Sequence, residues 1–265
     1  MSFGKMPIAN GFLDSTDFER EYFYELKPMF CENCLTFQIS EQPDPEKMFH
    51  QNYAFFSRTS NRMVNHFKSY ADWVTEQYLT NVDPFVVEIG SNDGSMLKNF
   101  SRKNIRHLGI EPSSNVAEEA RKHGVNTLCS FFNLTTAKKI ASEHGYADAL
   151  IAANVMCHIP DLHGLAQGID HLLNPMGVLV FEEPYLGDMI KNTAYDQIYD
   201  EHVYIFSTRS VINIFSKHGF ELINVEPQST HGGSMRYILA RKGKRAVSPS
   251  VEKQLNYEDK NNLHI

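Results

Sequence analysis

The sequence predicts a doubly wound α/β sheet with a terminal antiparallel strand pair, preceded by a small N-terminal module. Three observations carry this reading. From residue 85 onward, short apolar runs alternate with segments of helical period. The first run, 85–89, ends in the glycine turn Gly90-Ser-Asn-Asp-Gly94, just before a helical pattern opens. The last two apolar runs, 220–225 and 235–240, are joined by a polar loop too short to hold a helix. Repeated strand–helix units require a parallel sheet covered on both faces, whereas a pair joined by a short loop must run antiparallel.

Residues 1–80 carry no strand–helix alternation and form the N-terminal module. Residues 5–13 read as extended and turn-rich. Cys31-Glu-Asn-Cys34 precedes a strand over 35–39, and apolar residues from Met63 to Leu79 recur at helical spacing. The main domain, 81–243, begins with strand 85–89 and a helix over 95–101. Strand 107–110 leads to helix 114–122, strand 125–128 to helix 134–142, and strand 149–153 to helix 162–173. A turn at Asn174-Pro-Met-Gly177 precedes the fifth strand, 178–181. A helix over 208–217 then stops at Gly219, a usual helix terminator. Residues 244–265 form a polar tail in which 251–261 opens a helix with nothing to pack on.

Composition narrows the class of protein. The 265 residues carry a net charge of −7 and 42% hydrophobic residues. A mean hydropathy of −0.37 and an isoelectric point near 5.9 describe a soluble protein without the basic footprint of a nucleic-acid surface. No apolar run is long enough to span a bilayer, and the N-terminus lacks the apolar core of a signal peptide. Four cysteines in such a context do not suggest a disulfide framework. The expected setting is cytoplasmic, with no membrane partner and an oligomeric state left open.

The candidate site gathers at the carboxyl ends of the strands, where open α/β sheets bind ligands. Glu88, Gly90, Asn92 and Gly94 form a turn in which a dinucleotide fingerprint's second glycine is replaced by asparagine. A loop bearing Glu88 and Asp93 but no lysine suits a cationic ligand better than a diphosphate, and S-adenosylmethionine (SAM) fits that description. Glu111 ends the next strand, placed to accept hydrogen bonds from two ribose hydroxyls. Ser130-Phe-Phe132 would border an adenine, and Asn154 and His158 follow the fourth strand. The long connection after the fifth strand concentrates Tyr199, Glu201 and His202, the residue types of an acid/base site. His231-Gly-Gly-Ser-Met-Arg236 lies on the last hairpin, where Arg236 could meet an anion. Cys31 and Cys34 have half of a zinc-site spacing.

Taken together these motifs resemble the sugar C-methyltransferases that act on nucleotide-linked ketodeoxysugars. The resemblance runs through Pro7-Ile-Ala-Asn10, Cys31-x-x-Cys34, Asn52-Tyr53-x-Phe-Phe-Ser57, Glu88-Ile-Gly-Ser-Asn-Asp-Gly94, Asn154-Val-x-x-His158-Ile-Pro160, Tyr199-Asp-Glu-His202 and His231-Gly-Gly-Ser-x-Arg236, nearly the whole sequence. It implies a class I SAM-dependent methyltransferase fold, SAM as cofactor and a zinc-binding N-terminal module. It places a substrate-site tyrosine at Tyr53, active-site histidines at His158 and His202, lid residues at Tyr199 and Glu201, and the base at His202. Measured against the family, the sequence lacks the first Cys-x-x-Cys pair and a C-terminal domain, so it reads as truncated at both ends, with half of a zinc ligand set. The expected reaction is C-methylation of a nucleotide-linked 4-ketodeoxysugar through an enolate. The alternatives are an O- or N-methyltransferase on another small molecule, an NAD-dependent sugar enzyme, or a SAM-binding protein without catalysis.

Overall fold

A computed structural model describes residues 1–263. The N-terminal segment forms two small antiparallel pairs, β1 (Lys5–Pro7) with β2 (Phe23–Glu25) and β3 (Pro28–Cys31) with β4 (Thr36–Ile39). A single turn, α1 (Pro45–Met48), leads to α2 (Asn61–Tyr78). The Ser60 hydroxyl caps α2 by accepting from the Met63 N–H. Phe67, Tyr70, Ala71 and Val74, spaced as one helical stripe, are its buried face.

The alternation follows: β5 (Phe85–Ile89), α3 (Leu97–Ser101), β6 (Arg106–Glu111), α4 (Ser114–Lys122), β7 (Thr127–Cys129), α5 (Leu134–His144), β8 (Ala147–Ala153), α6 (Leu162–Leu172) and β9 (Leu173–Pro184). Then come α7 (Leu186–Asn192), β10 (Tyr204–Ile205), α8 (Thr208–Phe215), β11 (Phe220–Gln228), β12 (Ser234–Arg241) and α9 (Pro249–Lys260). The main sheet has seven strands in the order β11-β12-β9-β8-β5-β6-β7. Strands β7, β6, β5, β8 and β9 are parallel, and β12 enters antiparallel between β9 and β11. This is the expected class I methyltransferase arrangement.

Every residue of β5 is buried. Phe85, Val87 and Ile89 face one core layer with α5, α6 and α8, while Val86 faces the other with α2, α3 and α4. Because β5 pairs with β6 on one side and β8 on the other, its carboxyl end is the switch point of the sheet.

Two local expectations are corrected. The segment 174–177 is a bulge within β9, not a turn before it: Ala147 pairs with Leu173 and Ala149 with Val178. The Met176 N–H donates to Asn174 Oδ1 at 2.9 Å, which is why the sequence there reads as a turn. The long connection after β9, whose length reads as that of a functional loop or lid, contains α7 and β10. Its ends meet where Tyr185 bridges Phe206, and β10 pairs with β4, tying the connection to the N-terminal segment. Finally, α9 does pack. Glu258 is buried and accepts from the Tyr185 hydroxyl (3.0 Å) and from the Thr208 (2.6 Å) and Arg209 (3.0 Å) N–H groups that open α8. Among the described residues no helix is long and apolar enough to cross a membrane.

Candidate active site

A cavity of about 630 Å³ opens at the carboxyl end of β5. Its lining combines Glu88, Gly90, Asn92, Glu111 and Asn154 with Tyr53, His158, Tyr199, Glu201 and His202. Residues that the sequence placed on separate strands, on the N-terminal module and on the long connection thus converge on one space. Gly94 and Ser130 do not line it. Gly94 faces Val125 and Ala120, and the Ser130 hydroxyl lies 3.3 Å from that of Thr136, supporting the turn that presents Phe131 and Phe132.

The end nearest β5 is built for a cation and a ribose. Glu88 is buried with Oε2 unpartnered, and its carboxyl is held well above the usual range by burial and then by the charges of Asp93 and Glu111. An ammonium or sulfonium charge would supply the missing partner. Gly90 adopts φ +64°, and a Cβ there would lie 2.4 Å from a Val155 methyl, so backbone alone forms the wall. Glu111 accepts from the Asn92 N–H at 2.9 Å and the Ser113 N–H at 2.8 Å, which fix its carboxylate at the rim. Burial still pushes its pKa up. These residues fit SAM.

The other end is an aromatic and imidazole cluster. His202 is buried; the Gln197 carbonyl, 2.8 Å from Nδ1, can only accept, so Nδ1 carries the hydrogen and Nε2 is left as the free base. The Tyr199 hydroxyl is 3.3 Å from that Nε2. Burial lowers the His202 pKa to about 4, against the partial support of the Gln197 carbonyl. His158 stacks between Phe49 and His202, at ring separations of 5.7 and 5.4 Å. Its Nε2 is buried without a partner, and its pKa is held well below the usual value by burial and then by His202 and His231. Tyr53 donates to Glu201 Oε2 at 3.2 Å, while Asn10 donates to Oε1 at 2.6 Å. Burial raises the Glu201 pKa.

Sequence reasoning missed several supporting residues. Glu183 Oε1 accepts from the Val155 (3.0 Å) and Met156 (2.7 Å) N–H groups, holding the turn that presents His158. Burial raises its pKa to about 7. The readable signal was a pair of acids, Glu182-Glu183, inside a central strand. Glu182 instead serves Arg236, which is buried, ion-paired with Glu182 and Glu226, and covered by the Tyr70 and Trp73 rings. Arg236 is therefore a structural ion pair rather than an anion receptor. Phe49 and Gln197 carried no local signal, and Asn10 was marked only as the end of the Pro7-Ile-Ala-Asn10 motif, because their roles depend on contacts made by the folded chain. Asn154 lies 2.7 Å from His231 Nε2 at the cavity edge.

Cys31 and Cys34 are adjacent, and hydrogen bonds from the Cys34 and Asn33 groups lower the Cys31 pKa. All four cysteines are free. Among the described residues, the one cluster of three metal-capable side chains is Cys157, His158 and His202, which belongs to the cavity. Two thiols are half of the four ligands that a tetrahedral zinc set requires, so the N-terminal pair does not close a site by itself.

The fold is that of a methyltransferase domain with a cavity suited to SAM at the carboxyl end of its sheet, and comparison with known proteins agrees on the family. The chain belongs to the methyltransferase-domain family, described as "Methyltransferase domain", which matches residues 62–225. A second family, "Putative zinc binding domain", matches residues 1–49. The chain is 30% identical over 260 residues to C-methyltransferase NovU of Streptomyces niveus, an alignment covering 97% of this chain and 62% of NovU. The chain therefore spans 62% of the length of that relative. Among solved structures it is similar to the PH0226 protein of Pyrococcus horikoshii OT3 (TM-score 0.56, 12% identity, 71% of this chain and 95% of that one). It is also similar to a SAM-dependent methyltransferase of Clostridium acetobutylicum ATCC 824 (TM-score 0.51, 12% identity, 67% and 92%). At these identities the structural likeness shows the fold.

Proposed function

We propose that the protein transfers a methyl group to a carbon atom of a nucleotide-linked 4-ketodeoxysugar, with His202 as the base. The observation that carries the reading is the neutral His202 imidazole beside the cavity: the Nδ1 contact to Gln197 leaves Nε2 unprotonated, and its one hydrogen-bond partner is the Tyr199 hydroxyl at 3.3 Å. The likeness to C-methyltransferase NovU supports carbon as the methyl acceptor.

A hydrogen on the carbon beside a ketone is acidic because the carbonyl delocalises the resulting charge. His202 Nε2 takes that proton, and the bond's electron pair passes into an enolate. His158, kept neutral by burial, donates from Nε2–H, as its Nδ1-unprotonated tautomer, to the enolate oxygen. Tyr53 is less free to do so, since its hydroxyl is engaged by Glu201. Bound SAM supplies an electrophilic methyl on a positively charged sulfur. Glu88, Gly90, Glu111 and Asn154 hold the cofactor end, and the protein's main contribution is to fix both reactants within reach. The setting in which it works is taken to be the cytoplasm.

Incubation with ¹³C-methyl SAM and a panel of nucleotide ketosugars tests this. Label on the carbon beside the carbonyl, read by NMR, supports the reading. Label on oxygen or nitrogen, or no transfer to any acceptor while SAM binds, overturns it.

A further inference from the structure

The side chain of Asn92 turns away from the carboxylates of the cofactor end. Its Oδ1 accepts from the Ser57 N–H at 3.0 Å and its Nδ2 donates to the Phe55 carbonyl at 3.1 Å. One amide thus clamps an extended strap at two backbone points, as a neighbouring strand would. Asp93 continues the clamp, accepting from the Arg58 N–H at 2.9 Å and from Arg58 Nε at 3.1 Å. Asn115 Nδ2 adds a third pin, donating to the Tyr53 carbonyl at 2.9 Å. The strap ends in Tyr53, whose hydroxyl holds Glu201 beside His202.

We infer that Asn92 is a positioning residue for the acceptor end of the cavity: through residues 53–58 it sets Tyr53 and Glu201, and so couples the cofactor turn to the catalytic connection. The inference rests on the proposed function for what Tyr53 and Glu201 face. Its physical basis is independent of that. The backbone of Asn92 serves Glu111 through its N–H, whereas its side chain serves only the strap. Its φ of 47° is a conformation that glycine adopts freely, so Asn92→Gly removes the clamp while leaving the turn intact.

The test compares the parent with Asn92→Gly and, as an independent route to the same strap, Asn115→Ala. Amide hydrogen exchange at Ser57, Arg58, His202 and Val203 is read without any acceptor. SAM affinity is read by calorimetry, and acceptor KM and kcat by methyl transfer. Both variants should speed exchange at all four amides and raise acceptor KM at least about tenfold, a cost expected when a site residue is misplaced by a fraction of an ångström. SAM affinity in Asn92→Gly should stay within about twofold, a change too small to reflect a lost hydrogen bond. A loss of fold alone would lower SAM affinity and acceptor affinity together, and that result overturns the inference. So does faster exchange confined to Ser57 and Arg58 with His202 and Val203 unchanged. If the parent methylates no acceptor, the proposed function fails, but the exchange data still decide the relay.

Discussion

His158 and His202 lie ring against ring, their centroids 5.4 Å apart and their planes inclined by 26°. Two protonated imidazoles at that separation would repel, so the pair is stable when both are neutral, which is also the state proposed for base and donor. His202→Asn should abolish turnover while SAM affinity survives. His158→Phe preserves the stack on Phe49 but removes the donor, and kcat should fall by about 100- to 1000-fold, as when one oxyanion donor is lost. Steady-state kinetics and calorimetry check both, and unchanged turnover in either variant removes that residue from the chemistry.

The pH dependence of stability follows from the same burial. His202 titrates at about 4 in the folded protein, against about 6.5 when unfolded. Between these values the unfolded state binds more protons, so stability falls as pH falls through this window, by ~3 kcal/mol in total from this residue. Urea unfolding from pH 7 to pH 4 should show the loss, and His202→Asn should flatten it.

Glu183 acts in the opposite sense. Its folded pKa of about 7 exceeds its unfolded value, so its contribution is full at low pH and is lost as pH rises through about 7. Glu183→Gln keeps an oxygen for the Val155 and Met156 N–H groups and removes the buried charge. The variant should match the parent near pH 4.5 and exceed it at pH 8 by up to ~3 kcal/mol. Lower stability at pH 8 would mean that the ionised carboxylate is better compensated than the geometry indicates.

Gly90→Ala should weaken SAM binding and destabilise the protein together. Alanine must adopt φ +64° and press its methyl on Val155. The strained backbone alone costs about 1–2 kcal/mol. Adding Val155→Ala should relieve the contact but not the backbone strain, giving partial recovery in a thermal melt.

Glu258→Ala should cost ~3 kcal/mol or more, because it leaves the Thr208 and Arg209 N–H groups and the Tyr185 hydroxyl without their acceptor. Denaturant unfolding measures this, and a change below about 1 kcal/mol would show that water replaces the carboxylate there.

What the sequence revealed and what it hid follow from the range of the interactions. β5 and its glycine turn were legible because a buried strand declares itself through local apolar period and a glycine boundary. The bulge in β9 was hidden because Asn174 and Pro175 are turn residues whether or not a strand runs through them. The packing of α9 was hidden because its anchors are few, Val251 and Leu255 on the core and the buried acid Glu258, on an otherwise polar helix. Glu201 was readable as an acid/base candidate, but its partners Asn10 and Tyr53 lie far away in the sequence and leave no periodic trace.

The bridge between Tyr185 and Phe206 gives the catalytic connection a common doorway: the backbone leaves and re-enters the body of the protein at one place, with the Leu186 N–H donating to the Phe206 carbonyl at 2.9 Å. Everything between those residues is one excursion, held to the body at this doorway and, through β10 and Glu201, to the N-terminal segment. The two pieces would therefore have to change together in any related protein that reshapes this end of the cavity, while the turn after β5, built on other strands, stays as it is.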